Sequence, residues 1–196
     1  MNTINDATSV AIDLTNVTSI GTSNIADLST MNTGIAGFSN TTGIVAIDIT
    51  DGGDGSGDVD FTALDPVIDA YYARNNNVAF TLQSADTLLI GTSGEVTDLL
   101  THIGANNNLQ LSNQAITINS AVGLSAANAK TIAADTTGTV TATIATSARV
   151  ADLTELRQPN AGVDEVNAFT IVISTDDASS SAANLNTINA VSYTHL

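Results

Sequence analysis

Hydrophobic and polar positions alternate with period two over Ser9–Asn16. Val10, Ile12 and Leu14 share one side and Ala11 and Asp13 the other, which predicts a half-buried strand. The same alternation returns at Ile44–Thr50, with Val45, Ile47 and Ile49 on one side, at Val78–Leu82, Ala115–Ile118, Val140–Ile144 and Phe169–Ile173. Between these stretches the spacing lengthens to the helical repeat. Predicted strand centres lie near Ile12, Ile47, Phe80, Ile116, Ala142 and Ile171, and helix markers near Leu28, Leu64, Leu99, Ala129, Leu153 and Leu185. The two series interleave as six strand-then-helix units. Leu88–Ile90 is a further apolar stretch inside the third unit. Helix starts are expected at Ser23, as N-cap with Asp27 in the first turn, and at Asp65, as N-cap with Pro66 at the first helical position. Gly34, Gly37 and Pro159 supply stops.

The helical segments repeat one another. Ser125-Ala-Ala-Asn-Ala-Lys-Thr-Ile-Ala-Ala134 matches Ser181-Ala-Ala-Asn-Leu-Asn-Thr-Ile-Asn-Ala190 at seven of ten positions, and looser copies start at Ile25, Val96 and Val150. The shared formula is an apolar residue, a small one, Asp or Asn, then Leu. Self-similarity at intervals of tens of residues marks a stacked array in which each unit buries its apolar face against its neighbours.

Strict β/α alternation implies an α/β chain with parallel strands. In a doubly wound parallel sheet, the alternative architecture, both faces are covered and strands read as continuous apolar runs. Here Asp13, Asp48, Thr81, Thr117 and Thr143 occupy the face opposite the Ile, Val and Phe positions. The expected fold is therefore a one-sided β/α solenoid of about six strand-helix repeats with a parallel sheet, spanning residues 1–191. Asp13 and Asp48 would stand near each other on its open face if the first two strands are neighbours, a like-charge pair that a cation would relieve. Residues 192–196 fit no unit, and the final Val191-Ser-Tyr-Thr-His-Leu196 resembles translated sequencing-adapter read-through. With the pattern starting and stopping mid-unit, the chain reads as a fragment of a longer array, with partners in the neighbouring repeats of its parent.

Composition narrows the partners. Twenty acidic residues against four basic ones give a formal charge of −16. That excludes nucleic acid, whose phosphates call for Lys and Arg, disfavours anionic membranes, and favours cations. Cysteine is absent, so disulfides and thiolate metal sites are too. No run approaches the roughly 20 apolar residues of a membrane span, and Met1–Asp6 lacks the basic and apolar regions of a signal peptide. A cysteine-free, Lys-poor chain rich in Asp, Thr, Asn and Ser is compatible with bacterial export.

The richest candidate site is Asp51-Gly-Gly-Asp-Gly-Ser-Gly-Asp-Val-Asp60. Calcium takes several oxygen ligands from a supple loop, and alternating Asp and Gly supplies both. The candidate ligands are Asp51, Asp54, Ser56, Asp58, Asp60 and Asp65. Counting from Asp54, oxygens fall at loop positions one, three, five and seven, with Asp65 at the twelfth, so the run resembles dockerin-type and EF-hand loops. Val59 replaces their Gly at position six and Asp65 their Glu. The run also resembles the Gly-Gly-x-Gly-x-Asp repeats of RTX exoproteins, with Asp58 one place late. As a solvated loop it would instead leave Asp65 to cap its helix.

Catalytic patterns are scarce. His102 lies within a helix formula, where a surface or boundary role is expected. Gly91-Thr-Ser-Gly94 lacks the Lys of a phosphate loop, and no Gly-x-Ser-x-Gly elbow occurs. Tyr71 and Tyr72 are expected to flank a core edge, and Arg74, Arg149 and Arg157 to pair with nearby acids. Taken together, the repeats and the Asp/Gly run resemble the tandem-repeat regions of long bacterial secreted or surface proteins, adhesin-like and RTX-associated. The resemblance implies a non-enzymatic structural or adhesive segment, calcium-stiffened, at the cell surface or outside the cell, with a glycan or cell-surface ligand. A polysaccharide-binding or polysaccharide-degrading segment is the alternative, and an intracellular leucine-rich-repeat-like module a third.

Overall fold

The computed structural model describes residues 10–33, 38–39, 41–50, 57–82, 86–145, 153, 156, 167–171 and 181–189. In chain order the elements are β1 (Ile12–Asp13), β2 (Ser19–Ser23), α1 (Ile25–Thr33), β3 (Phe38–Ser39), β4 (Ala46–Ile49), β5 (Asp58–Asp60) and α2 (Phe61–Tyr72). They continue as β6 (Ala79–Leu82), β7 (Thr87–Ile90), α3 (Ser93–Leu100), a π-helical turn (Thr101–Ala105), β8 (Leu109–Gln110), β9 (Ala115–Ile118) and α4 (Ala126–Asp135). β10 (Val140–Thr143), β11 (Ala168–Thr170) and α5 (Ala182–Asn189) complete the order. The chain is α/β and every strand pair among the described residues is parallel.

Two sheets carry the fold, one ordered β2-β4-β6-β8 and the other β5-β7-β9-β10-β11, with β1 and β3 as a short third pair. In both larger sheets the spatial order follows the chain order without reversal. A doubly wound sheet has a switch point where that order turns back, and these strands contain none. The sequence pattern predicted one strand per unit. The structure instead sends the middle units through both sheets, with β4 then β5, and β6 then β7, before each helix. Two of the extra strands, β5 and β8, are three and two residues long, below the window in which period two stands out, and β7 contains the further apolar stretch Leu88–Ile90.

Alternation sorts the residues as expected. In β4, β6, β7 and β9 every second side chain is buried and the intervening ones are half-buried or exposed. The buried positions line up by register. Ile20 lies beside Ile47, Ile47 beside Phe80 and Phe80 beside Leu109. In the second sheet Val59 lies beside Leu88, Leu88 beside Ile116 and Ile116 beside Val140. All eight belong to one hydrophobic cluster. The helices cover it: α2 contributes Phe61, Leu64, Val67, Ile68 and Tyr71, and α1, α2, α3 and α4 pack successively on one another.

Three local expectations are corrected. Val45 is exposed and Ile44 is buried in its place, because the 3₁₀ turn Thr41–Gly43 delivers the chain so that regular alternation begins only at Ala46. Val10, expected inward, is 72% exposed, ahead of the first strand. Asn24 rather than Ser23 caps α1: its Oδ1 accepts from the Asp27 N–H at 2.7 Å and its Nδ2 donates to the Asp27 carboxylate at 3.0 Å.

The start of α2 moves as well. Asp60, not Asp65, is the N-cap, accepting from the Thr62 N–H at 2.9 Å, and Pro66 lies inside the helix. A proline beyond the first turn costs about 3 kcal/mol in an isolated helix. Phe61 and Leu64, both wholly buried on the added turn, offset it, since burying each side chain stabilises by about 1.5–3 kcal/mol. Gly91–Gly94 proves to be the entry to α3. Thr92 Oγ1 accepts from the Glu95 N–H at 3.2 Å and Glu95 accepts from the Gly91 N–H at 2.6 Å, a reciprocal capping arrangement. The second Glu95 oxygen accepts from the Thr62 hydroxyl at 2.9 Å, tying α3 to α2.

Tyr71 occupies the core edge as expected. Its ring stands edge-on to Phe80 at 6.2 Å, its hydroxyl donates to the Leu28 carbonyl at 3.4 Å, and the Arg74 guanidinium lies over it at 5.8 Å. Burial pushes the phenol up to about 12, against a smaller opposing pull from Arg74. The unfolded chain therefore loses this proton first as pH rises past 10.0. Stability from Tyr71 is complete below that pH and is lost as the pH climbs toward 12. Urea melts across this window should show wild type losing stability more steeply than Tyr71→Phe. Equal slopes would contradict the buried phenol.

Candidate metal centre

Asp65 and Asp69 sit one helical turn apart on α2, a spacing that presents both carboxylates on one face. Opposite them the π turn Thr101–Ala105 carries His102, closed by the Asn106 N–H donating to the Thr101 carbonyl at 2.9 Å. Single π turns recur at functional sites because the wider turn displaces a side chain from the regular helical path. Of the surface or boundary role expected for His102, the surface alternative is corrected: the residue is 2% exposed and lies between the core and the carboxylates of α2. Its spacing after Leu99 is the reason, since residue 102 shares the buried face with Leu99 and Ile103.

The ring is held from three directions. Nε2 lies 2.9 Å from Asp65 Oδ1 and 3.8 Å from Asp69 Oδ1. Nδ1 lies 3.1 Å from Asn108 Oδ1, and the Phe61 ring packs tilted against the imidazole at 6.2 Å between centroids. Asn108 is itself buried and fixed by its backbone, donating to the His102 carbonyl at 2.9 Å and accepting from the Phe80 N–H at 2.7 Å. Exposure is graded across the group: His102 is enclosed, the Asp65 side chain is 25% exposed and that of Asp69 is 67% exposed. The three donor atoms all lie within 4.8 Å of one another, so this group could hold a metal ion.

The acidic run fares differently. Asp51, Asp54 and Ser56 lie outside the described residues. Asp58 and Asp60 stand on β5, in register with Thr87 and Leu89 of β7, with Val59 between them pointing into the core. Asp60 spends one oxygen on the helix cap. Asp65, placed with them by loop spacing, turns instead to His102. Asp13 and Asp48 are not brought together: Asp13 is in register with Ser39, and Asp48 with Thr81 in another sheet. Beside Asp60 an open groove of about 350 Å³ runs over the ends of β5, β7 and β9, lined by Thr62, Leu89, Gly91, Thr117 and Asn119. No helix among the described residues is long and apolar enough to cross a membrane.

Comparison with protein-family models, with curated proteins and with solved structures returns no match for this chain.

Proposed function

We propose that this chain is a non-enzymatic structural and adhesive segment of an extracellular bacterial protein, built as a one-sided β/α solenoid of about six repeats. The observation that supports the reading is the stacking of like on like. Each parallel pairing sets an aliphatic or aromatic residue beside its counterpart in the next unit, from Ile20 to Leu109 in one sheet and from Val59 to Val140 in the other. Such ladders extend by addition of units rather than closing around a centre. Most outer positions of the same strands are small or polar, Thr81 in one sheet and Thr87, Thr117 and Thr141 in the other, Leu89 being the exception, and this supports contact with a glycan or cell-surface ligand.

Calcium belongs to this proposal through Asp51, Asp54, Ser56, Asp58 and Asp60, with Asp65 committed to His102. A thermal melt should then rise with millimolar calcium, and the rise should vanish in the Asp54→Ala, Asp58→Ala double variant. Unit addition is tested by excising one turn. Removing Phe80 to Asn108 joins Ala79 to Leu109 and keeps the inward phase, because Leu109 already stacks on Phe80. An array should close over the deletion and still melt cooperatively at reduced stability. Loss of the cooperative transition would mean that the units depend on one closed core.

A further inference from the structure

We propose that Asp65, Asp69 and His102 bind a divalent transition-metal ion of the zinc type, clipping α2 to the π turn that follows α3. The donor set decides the class of ion. Calcium and magnesium call for six or more oxygens, whereas an imidazole nitrogen with two carboxylates suits zinc, cobalt or nickel. Geometry agrees. Donor atoms about 2.0–2.2 Å from a tetrahedral zinc lie about 3.4 Å from one another. The two observed separations from Nε2, 2.9 and 3.8 Å, straddle that figure, so side-chain adjustments of a few tenths of an ångström admit the ion.

The surroundings point the same way. Asn108 Oδ1 lies 3.1 Å from Nδ1 of His102 while Nε2 faces the two carboxylates, so the tautomer with Nδ1–H donating to Asn108 presents Nε2 as the free ligand atom. A ring held through its other nitrogen is the usual support behind a metal-binding histidine, since it fixes both tautomer and orientation. Asn108 is anchored by two backbone bonds, which keep its amide beside the ring. Asp69, two-thirds exposed, opens the site on its solvent side and provides the path of entry. With three protein donors the fourth position falls to water. The net charge of −16 concentrates cations around the whole chain.

The test uses the full chain, stripped with chelator and titrated with Zn²⁺ or Co²⁺. One equivalent should bind, Co²⁺ should show the intense visible bands of a tetrahedral site, and the melting temperature should rise by about 5–10 °C when free metal is a hundredfold above Kd. His102→Gln should abolish binding. Because that residue is buried and its loss could unfold the chain, Asp69→Asn is the decisive variant: its exposed side chain can change without opening the core, and affinity should fall at least tenfold. Changing Asp54 and Asp58 to Ala should leave the transition-metal titration as it was, separating this site from the calcium loop. Absence of stoichiometric binding in wild type, or equal affinity in Asp69→Asn, would overturn the assignment.

Discussion

Phe80→Ala is expected to cost about 3–5 kcal/mol, a large share of the about 5–15 kcal/mol by which a typical domain is stable. Phe80 is wholly buried between Ile47 and Leu109 of the adjoining strands, with Tyr71 of α2 edge-on to its ring. The truncation would leave a cavity bordered by both flanking strands and by α2. The lost transfer energy of the ring is augmented by the cost of that void, because paired strands on both sides prevent collapse. Urea denaturation should show a lower midpoint with little change in slope. Val45→Ala supplies the contrast. The two residues share a strand pattern, but Val45 points to solvent, and its change should stay within about 0.5 kcal/mol. Similar losses for both would mean that register, rather than burial, carries the stability.

That contrast marks how far the pattern of the chain could be read. Period-two alternation located Ile47, Phe80, Ile116 and Ala142 on strands and placed their side chains inward, because one buried face imposes that spacing wherever a strand is four residues long. Helix markers at Leu28, Leu64, Leu99 and Ala129 fell on α1 to α4 for the same reason, each being buried against the sheets. What the pattern missed was shorter or decided at long range. β5 and β8 are too brief to show a period. The Asp65-Pro66 pair carries the local chemistry of a helix start, yet the helix begins at Phe61 because burying Phe61 and Leu64 outweighs the proline.

The candidate metal group was half visible. Asp65 stands out through the spacing of an acidic loop, although its partner proved to be His102, thirty-seven residues on. Asp69 gave no signal beyond standing four residues after Asp65. His102 did carry one, since its spacing from Leu99 and Ile103 put it on the buried face, where an imidazole must find a partner. Which carboxylates would meet it depends on how α2 packs against the π turn, and no local pattern encodes that.

The second large effect is expected from a single methyl group. A Cβ at Gly138 would stand 2.6 Å from the Asn113 carbonyl oxygen and closer still to the Gln114 carbonyl. These are backbone atoms, which cannot rotate away as a side chain can. The segment they meet is bound tightly to its neighbour: the Thr136 hydroxyl donates to the Gln114 carbonyl at 2.6 Å and accepts from the Gly138 N–H at 2.9 Å, while the Thr137 N–H donates to the Ser112 carbonyl at 2.8 Å. Gly138→Ala must therefore push successive turns of the chain away from each other at the point where β10 is about to pair with β9. A loss of about 3 kcal/mol is expected from overpacking, with a further ~1 kcal/mol if the Thr136–Gln114 bond breaks. Gly21→Ala serves as the control, since nothing lies within 4 Å of its added methyl. Its effect should be near zero or slightly stabilising, through the reduced freedom of the unfolded chain. If the two variants melt alike, the close approach at Gly138 does not set the spacing between β9 and β10. If Gly138→Ala alone loses stability, then glycine at this turn is what lets the chain wind from β9 through α4 to β10 with its strands near enough to bond.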